Sequence, residues 1–391
     1  MKTSTSKKTR NCCDEPWITN EKGTVRIRIG ITGSSGFLGW HLRCRLHGVN
    51  DIEVTHANED AFADKSKLID FVSKCQVIVH LAGMNRGDEE ELFKTNISLS
   101  TKLIDACVAA GKSPHIIFAS SIHISRDTAY GRSKRISSEM FRDWERRSGG
   151  RFTDLILPNV FGEHGRPFYN SVVASFCYQL ADGQKPAVIE DKVIELIHAQ
   201  TVARIIREAA EDRLADTIQP TGSSISVSEL LDKLNGFADL YRRAIVPRLD
   251  DDFDVDLFNT YRSFLYPKNF PVVLDLHQDL RGSLFEAVKT LHGGQCFFST
   301  TRPGITRGNH YHIRKFERFL VVKGDAVIRL RRLLVEDVVE FAVSGENPCF
   351  IDIPTLHTHN ITNVGDGDLM TLFWTNELFD PGQPDTLPEN V

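Results

Sequence analysis

From Gly304 the chain reads G-I-T-R-G-N-H-Y-H-I-R-K-F-E-R-F-L-V-V-K-G, which sets Gly304, His310, His312, Glu317 and Gly324 at the spacing G-x5-H-x-H-x4-E-x6-G. A second block, P-T-L-H-T-H-N-I-T-N, carries Pro354, His359 and Asn363. Two histidines at i and i+2 on a strand point to one face. With Glu317 and the distant His359 they make a set of three nitrogens and one carboxylate, which suits zinc and also iron. Strand-like runs, Arg318–Val322 and Ala326–Leu330, follow the first ligands. A second constellation lies upstream, where Ser120-Ser121 precedes Tyr130-Gly131-Arg132-Ser133-Lys134. Residues four apart stack on one helix face. An ammonium at Lys134 is expected to lower the Tyr130 pKa, so that the phenol protonates a carbonyl oxygen to which Ser121 hydrogen-bonds.

These residues need elements to position them. G-S-S-G-F-L-G, with Gly33, Ser35, Gly36, Phe37, Leu38 and Gly39, follows the apolar strand Val25–Ile31 and opens a helix, Phe37–Leu46. In that context the glycines let backbone N–H groups approach a pyrophosphate at the helix N-terminus. Val77–Ala82, His115–Ala119 and Asp154–Leu157 read as further short strands separated by amphipathic helices such as Asn96–Ala110. Strand–helix alternation over residues 25–245 implies a doubly wound parallel sheet, an α/β fold of Rossmann type. Around Pro247–Asn269 the pattern breaks into V-P-R-L-D-D-D-F-D-V-D-L-F, read as an acidic connection. From Pro271 the text is rich in Phe, Val, Ile and Thr and suits an all-β barrel. The expected division is a disordered tail (1–24), a nucleotide-binding half (25–250) and a metal-binding half (251–391).

Composition narrows the class. With 391 residues and a net charge of −5 lacking a dominant basic face, nucleic acid is not an expected partner. No apolar run reaches membrane-spanning length, so no membrane association is expected. No apolar segment near Met1 suggests a secretory signal, and a transit peptide is the weaker reading of the basic start. The eight cysteines are scattered without a CxxC pair, which suits a reducing cytoplasm.

The C-terminal pattern resembles the two-part signature of the cupin β-barrel, with Leu356 where the second block usually has Gly. The N-terminal motifs resemble the extended short-chain dehydrogenases/reductases: G-x-x-G-x-x-G, His80-Leu81-Ala82-Gly83, Asn96 in K-T-N-I-S, and the Tyr130/Lys134 dyad. Together, over residues 25–391, the chain resembles the bifunctional CapF-type enzymes of capsular polysaccharide synthesis. The shared strings include H-L-A-G-M-N-R, A-Y-G-R-S-K, L-P-N-V-F-G, R-P-G-I-T-R-G-N-H-Y-H and N-E-L-F-D-P-G-Q-P-D-T. The resemblance implies a cytoplasmic homodimer acting on a UDP-linked 4-keto-6-deoxy-N-acetylhexosamine, on the route to UDP-N-acetyl-L-fucosamine or a related sugar. In that reading a zinc cupin epimerises C3 and the reductase half then reduces the C4 ketone with NADPH.

Site residues follow from the same resemblance. Ser121, Tyr130 and Lys134 would be catalytic. Gly33, Ser35, Gly36, Phe37, Leu38, Gly39, His56, Leu81, Ala82, Gly83 and Asn96 would hold the cofactor with Tyr130 and Lys134. Asn85, Asn159, Arg166, Arg302 and Arg307 would meet the sugar nucleotide, and His310, His312, Glu317 and His359 the metal. Glu53 lies inside its strand and Thr55-His56 ends it without a carboxylate, which favours NADPH over NADH. His56 departs from the Arg usual there, His198 from a Y-V-D-D pattern, and His357 from a Tyr. Two other readings keep the fold: a C4-ketone reductase whose zinc cupin is not catalytic, and a sugar-nucleotide binding or sensor protein.

Overall fold

The computed structural model describes residues 26–212, 214, 216–279, 282–285, 287–291 and 293–391. The tail read as disordered, with Cys12 and Cys13, lies outside the described residues. The first half runs β1 (Ile27–Thr32), α1 (Phe37–His47), β2 (Ile52–Ala57), α2 (Glu59–Ala63), α3 (Lys65–Lys74), β3 (Val77–His80), α4 (Glu89–Ala110), β4 (His115–Ser121), α5 (Ala129–Ser148), β5 (Arg151–Leu157), β6 (Asn159–Phe161), α6 (Val172–Ala181), β7 (Val193–His198), α7 (Ala199–Asp212), β8 (Thr217–Ile218), β9 (Ser223–Ser226) and α8 (Val227–Tyr241).

Six of these strands form a parallel sheet in the order β2-β1-β3-β4-β5-β8. Buried on both faces, its central strands are continuous apolar runs, as in V-I-V-H of β3. The order reverses between β1 and β3, and a crevice at that switch point is where such sheets take ligands. The long helices are set by their ends. Asp88 caps α4 by accepting from the Glu90 and Glu91 N–H groups, and three acidic residues follow in the first turn, where the helix dipole favours them. Thr128 caps α5, placing the Tyr130/Lys134 face against β4.

The stretch read as an acidic connection is instead β10 (Ile245–Val246) followed by a helix, α9 (Asp252–Leu265). Its acidic residues are the signals of a helix start: Asp251 accepts from the Asp254 N–H, and the buried Asp254 takes Lys233 Nζ at 2.6 Å. The chain then continues β11 (Val272–Val273), β12 (His277–Asp279), β13 (Gly282–Leu284), β14 (Lys289–Thr290), β15 (Gln295–Thr301), β16 (Thr306–Tyr311), β17 (Glu317–Lys323), β18 (Asp325–Arg332), β19 (Val338–Ser344), β20 (Cys349–Ile353), β21 (His357–Asn363), β22 (Leu369–Thr375) and β23 (Leu387–Pro388). Two antiparallel five-stranded sheets, β11-β20-β17-β22-β15 and β19-β18-β21-β16-β23, form a cupin-like β domain.

The halves are not separate beads. One core cluster joins α6, α8 and α9 to the barrel, with Phe258 edge-on to Phe316 at 5.7 Å between ring centroids. A second seats Trp40 and Cys44 of α1 against Tyr311, Leu333 and Leu356. Arg318 and Asp352 form a fully buried bidentate pair (2.7 and 3.0 Å), and Tyr241 of α8 donates to the same carboxylate. Among the described residues no helix is long and apolar enough to cross a membrane.

Candidate functional sites

The glycine loop is built for close approach. Gly33 has φ +69°, and a Cβ there would fall 2.7 Å from the Ala82 nitrogen; one on Gly39 would fall 2.3 Å from the Gly33 carbonyl oxygen. The turns after β1 and β3 therefore lie against each other at the switch point. They open into a cleft of about 640 Å³, lined among others by Gly33, Gly36, Phe37, Leu38, Gly39, Leu81, Gly83, Asn85, Ser121, Tyr130, Lys134, Asn159 and Arg166. Gly36 caps α1 without a side-chain hydrogen bond, and no acidic residue stands in that first turn, so the helix start is free for an anion. These features fit a dinucleotide.

The structure corrects one electrostatic expectation. Burial pushes the Tyr130 phenol up to about 12, against the opposing hydrogen bond of Ser121. Lys134 Nζ stands 5.8 Å from the Tyr130 ring centroid and donates to the Ala119 carbonyl at 2.7 Å. Burial brings the Lys134 amine itself down to about 8, with Asp154 working the other way. Tyr130 thus holds its proton across neutral pH, the state a general acid must be in when it acts.

Several predicted residues sit behind the cleft rather than in its wall. Asn96 is buried: its amide oxygen accepts from Met84 N (2.7 Å), and its nitrogen donates to the Met84 carbonyl (2.9 Å) and to Ser133 Oγ (3.1 Å). It shapes the turn carrying Gly83 and Met84. Ala82 backs the turn through its N–H to Thr32 Oγ1 at 3.2 Å. Ser35 is an exposed loop residue, and His56 stands exposed near the end of β2, where Ser34 Oγ donates to Asn58 at 3.1 Å. Glu53 pairs in register with Arg28, inside the strand. Asn159 lines the cleft while donating to the Glu195 carbonyl at 3.0 Å. Arg166 packs on Tyr169, its guanidinium carbon 4.9 Å from the ring centroid. Met84, His123, Tyr169, Asn170 and Ser171 also line the cleft and were not foreseen as site residues; Met84 lies in the H-L-A-G-M-N-R string, and Tyr169, Asn170 and Ser171 open another shared string, Y-N-S-V-V-A-S-F-C-Y.

In the barrel, His310, His312, Glu317 and His359 converge, with one ligand atom from each lying within 4.8 Å of the others. One Glu317 oxygen is 3.1 Å from His312 Nε2, 3.3 Å from His359 Nε2 and 4.0 Å from His310 Nε2. The far nitrogens are fixed: His312 Nδ1 donates to the Asp385 carbonyl (2.5 Å) and His359 Nδ1 to that of His357 (3.2 Å). This leaves the Nε2 lone pairs, which have no hydrogen-bond partner although buried, aimed at a common point. The donor set and these unpartnered atoms fit a zinc-like cation. Glu317 also lines a cavity of about 210 Å³ together with Lys315, Glu377 and Phe379; His310, His312 and His359 do not line it.

Leu356, standing where Gly is usual, keeps the left-handed turn (φ +61°) while fully buried, its N–H donating to the His312 carbonyl at 2.8 Å. Arg302 and Arg307 line neither cavity. Arg302 is exposed, and Arg307 is turned onto its own barrel, donating to Thr301 Oγ1 and the Thr300 carbonyl at 3.0 Å each. His357 is buried between the halves, with its ring 4.8 Å from Tyr266 and 5.5 Å from His164; burial first of all brings it down to about 4.

Comparison with known proteins agrees with this geometry. Residues 29–218 match the NAD dependent epimerase/dehydratase family, and residues 277–387 match the polysaccharide biosynthesis C-terminal domain. The chain is 33% identical over 366 residues to the UDP-2-acetamido-2,6-beta-L-arabino-hexul-4-ose reductase of Pseudomonas aeruginosa, covering 92% of this chain and 98% of that one. Over 119 residues it is 26% identical to the spore coat polysaccharide biosynthesis protein SpsL of Bacillus subtilis, covering 28% of this chain and 79% of that one. The crystal structure of the capsular polysaccharide assembling protein CapF of Staphylococcus aureus superposes with a TM-score of 0.61 at 34% identity, over 93% of this chain and all of that one.

Proposed function

This chain belongs to the family of CapF and the Pseudomonas reductase, an epimerase/dehydratase-type domain followed by a polysaccharide-biosynthesis C-terminal domain, and on that premise we propose that it is a bifunctional UDP-sugar enzyme. The barrel epimerises C3 of a UDP-2-acetamido-2,6-dideoxy-hexos-4-ulose and the reductase half reduces the C4 ketone. The observation carrying this reading is the coexistence of two furnished sites in one chain: the Ser121/Tyr130/Lys134 cleft and the His310/His312/Glu317/His359 cluster. The Pseudomonas relative is by name a reductase of such a 4-ulose. The proposed division at residues 250/251 puts α9, first helix of the second half, across the seam.

Chemistry orders the steps. The C3 hydrogen is acidic only while C4 is a ketone, because the neighbouring carbonyl stabilises an enolate; reduction removes that activation. Epimerisation therefore comes first. In the reductase cleft the bound cofactor, NADPH in our reading, supplies hydride. Tyr130, protonated at neutral pH, gives its proton to the C4 oxygen, and Ser121 hydrogen-bonds that oxygen. Lys134 anchors the acid-bearing helix to the Ala119 carbonyl at the end of β4. Gly33, Gly36 and Gly39 admit the pyrophosphate, and Arg166 faces the diphosphate of the sugar nucleotide. NADPH is favoured because β2 presents no carboxylate at its end.

In the barrel His310, His312, Glu317 and His359 would hold zinc, which as a Lewis acid supplies stabilisation for an enolate oxygen. The protein is proposed to be a cytoplasmic homodimer. NMR of the product formed from the UDP-4-keto-6-deoxy amino sugar and NADPH tests the reading. A C3-inverted, C4-reduced sugar is expected, and a C4 alcohol with C3 retained would leave a simple reductase.

A further inference from the structure

Between the two sites lies a buried polar cluster that neither reaction uses, centred on Glu163. One carboxylate oxygen accepts from Thr355 Oγ1 of the barrel at 2.7 Å, and the other from His198 Nε2 at 3.0 Å. Its backbone carbonyl accepts from His41 Nε2 of α1 at 3.0 Å. His198 presents its second nitrogen to Asp256 of α9 at 3.3 Å, so a carboxylate stands on each side of that imidazole. Gln200 donates to His41 Nδ1 at 3.0 Å, which fixes His41 as the Nε2–H tautomer. Glu163, His41, His198 and Thr355 are all buried. One residue thus binds α1 through its backbone carbonyl, and β7 and the barrel through its carboxylate.

Glu163 is also the second residue of the segment 162–171 between β6 and α6, which has no ladder of its own. His164 and Phe168 there hold φ of +61° and +56°, conformations that persist in bulky residues only where the surroundings impose them. The far end is held by Arg86, which donates to the Phe168 and Tyr169 carbonyls at 2.6 and 2.5 Å. The near end is held by Glu163 and by the His164 N–H on Ser263 of α9 at 3.3 Å. Between these anchors Gly165, Arg166 and Tyr169 form a wall of the reductase cleft. Thr355, in turn, is two residues before His357 on the strand that carries His359, and His357 Nδ1 donates to the Thr355 carbonyl at 2.9 Å.

We propose that Glu163 is a positioning residue for the reductase cleft: by fastening the strained Arg166 loop to Thr355, it makes the sugar-nucleotide wall depend on the docked barrel. The glycine loop, held by its own turns, does not share that dependence. The proposal rests on reading this cleft as a UDP-sugar site. It predicts that the two ligands of one cleft respond differently to a change in the other domain.

The test uses the full chain with UDP and NADPH as separate probes in calorimetric titrations. Thr355→Val keeps the shape and deletes the donor to Glu163. UDP affinity should fall about tenfold, the scale of leaving a buried hydrogen-bonding group unpaired. NADPH affinity and metal content should stay at wild-type values, and Thr355→Ser should restore UDP binding. Hydrogen exchange should show the amides of 162–171 losing protection. Glu163→Gln, read the same way, serves if Thr355→Val does not fold. Unchanged UDP binding in a folded variant, or equal loss of UDP, NADPH and metal, overturns the proposal. A wild-type chain that binds NADPH but no UDP would instead overturn the cleft assignment on which it stands.

Discussion

His359→Ala is the sharpest probe of the barrel. His359 is fully buried on β21, its Nδ1 bonded to the His357 carbonyl at 3.2 Å, its Nε2 3.3 Å from Glu317, and its ring 5.5 Å from Phe319. Two separable losses follow. Truncating a well-packed buried ring costs roughly 3 kcal/mol whether or not metal is present. Changes one shell further out cost about 10–100-fold in metal affinity, so deleting a ligand should cost at least about 100-fold. Zinc held at 100 times its Kd stabilises the fold by about 2.7 kcal/mol, and that contribution disappears. For a domain of about 150 residues this metal-linked part alone is worth roughly 5–10 °C in Tm. Calorimetric melts with and without chelator separate the terms. Wild type should lose the metal-linked part on chelation, while the variant should melt lower and ignore chelator, with less than one zinc per chain by elemental analysis. NADPH titration should be unchanged. Equal metal content and equal melting in both proteins would show that His359 is not a ligand, and iron at full occupancy without zinc would refute the choice of metal.

Asp352→Ala leaves Arg318 and, 3.9 Å away, Arg262 buried without their carboxylate. We expect about 3–5 kcal/mol of destabilisation in urea unfolding, with the barrel and the α8–α9 region lost in one transition; a loss under about 1 kcal/mol would refute the role of the pair. The seam is also pH-sensitive. Burial alone would lower the His198 pKa, but Asp256 and Glu163 outweigh it and raise it to about 9. Because the folded value lies above the unfolded one of about 6.5, the stabilisation is complete below pH ~6.5 and is lost as pH rises through the folded value. Thermal melts should therefore fall over that window in wild type and fall less in His198→Gln. Lys134, lowered to about 8, works the other way at the alkaline end and cancels in the comparison. Parallel curves for the two proteins would sink this assignment.

Local chemistry was legible in the sequence, and long-range chemistry was not. The convergence of His310, His312, Glu317 and His359 was readable because β16, β17 and the turn between them set the first three at fixed spacing and β21 brings in the fourth. Strand, glycine loop and helix were readable because Gly33, Gly36 and Gly39 answer a local steric demand. By contrast, α9 read as an acidic connection because its partners lie far off in the chain: Asp254 meets Lys233, and Arg262 lies near Asp352. Tyr130 was expected to be acidified by its neighbour four residues on. Burial, which i,i+4 spacing does not report, pushes its pKa the other way. Arg302 and Arg307 were chosen for nearness in sequence to the metal motif, yet Arg307 is spent on the Thr300–Thr301 edge of β15. His198 and His357, noted only as departures from familiar strings, both sit at the seam between the halves.

The central claim is that one chain divides two reactions between two sites. The most direct measurement is NMR of C3 deuterium incorporation, alongside NADPH oxidation, for Tyr130→Phe and wild type with the UDP-4-keto-6-deoxy amino sugar in deuterated water. Losing the general acid should cut NADPH oxidation by about 10²–10⁴-fold, while C3 exchange proceeds at the wild-type rate because the barrel is untouched. Loss of both activities in a folded Tyr130→Phe protein, or no C3 exchange in wild type, would contradict the account.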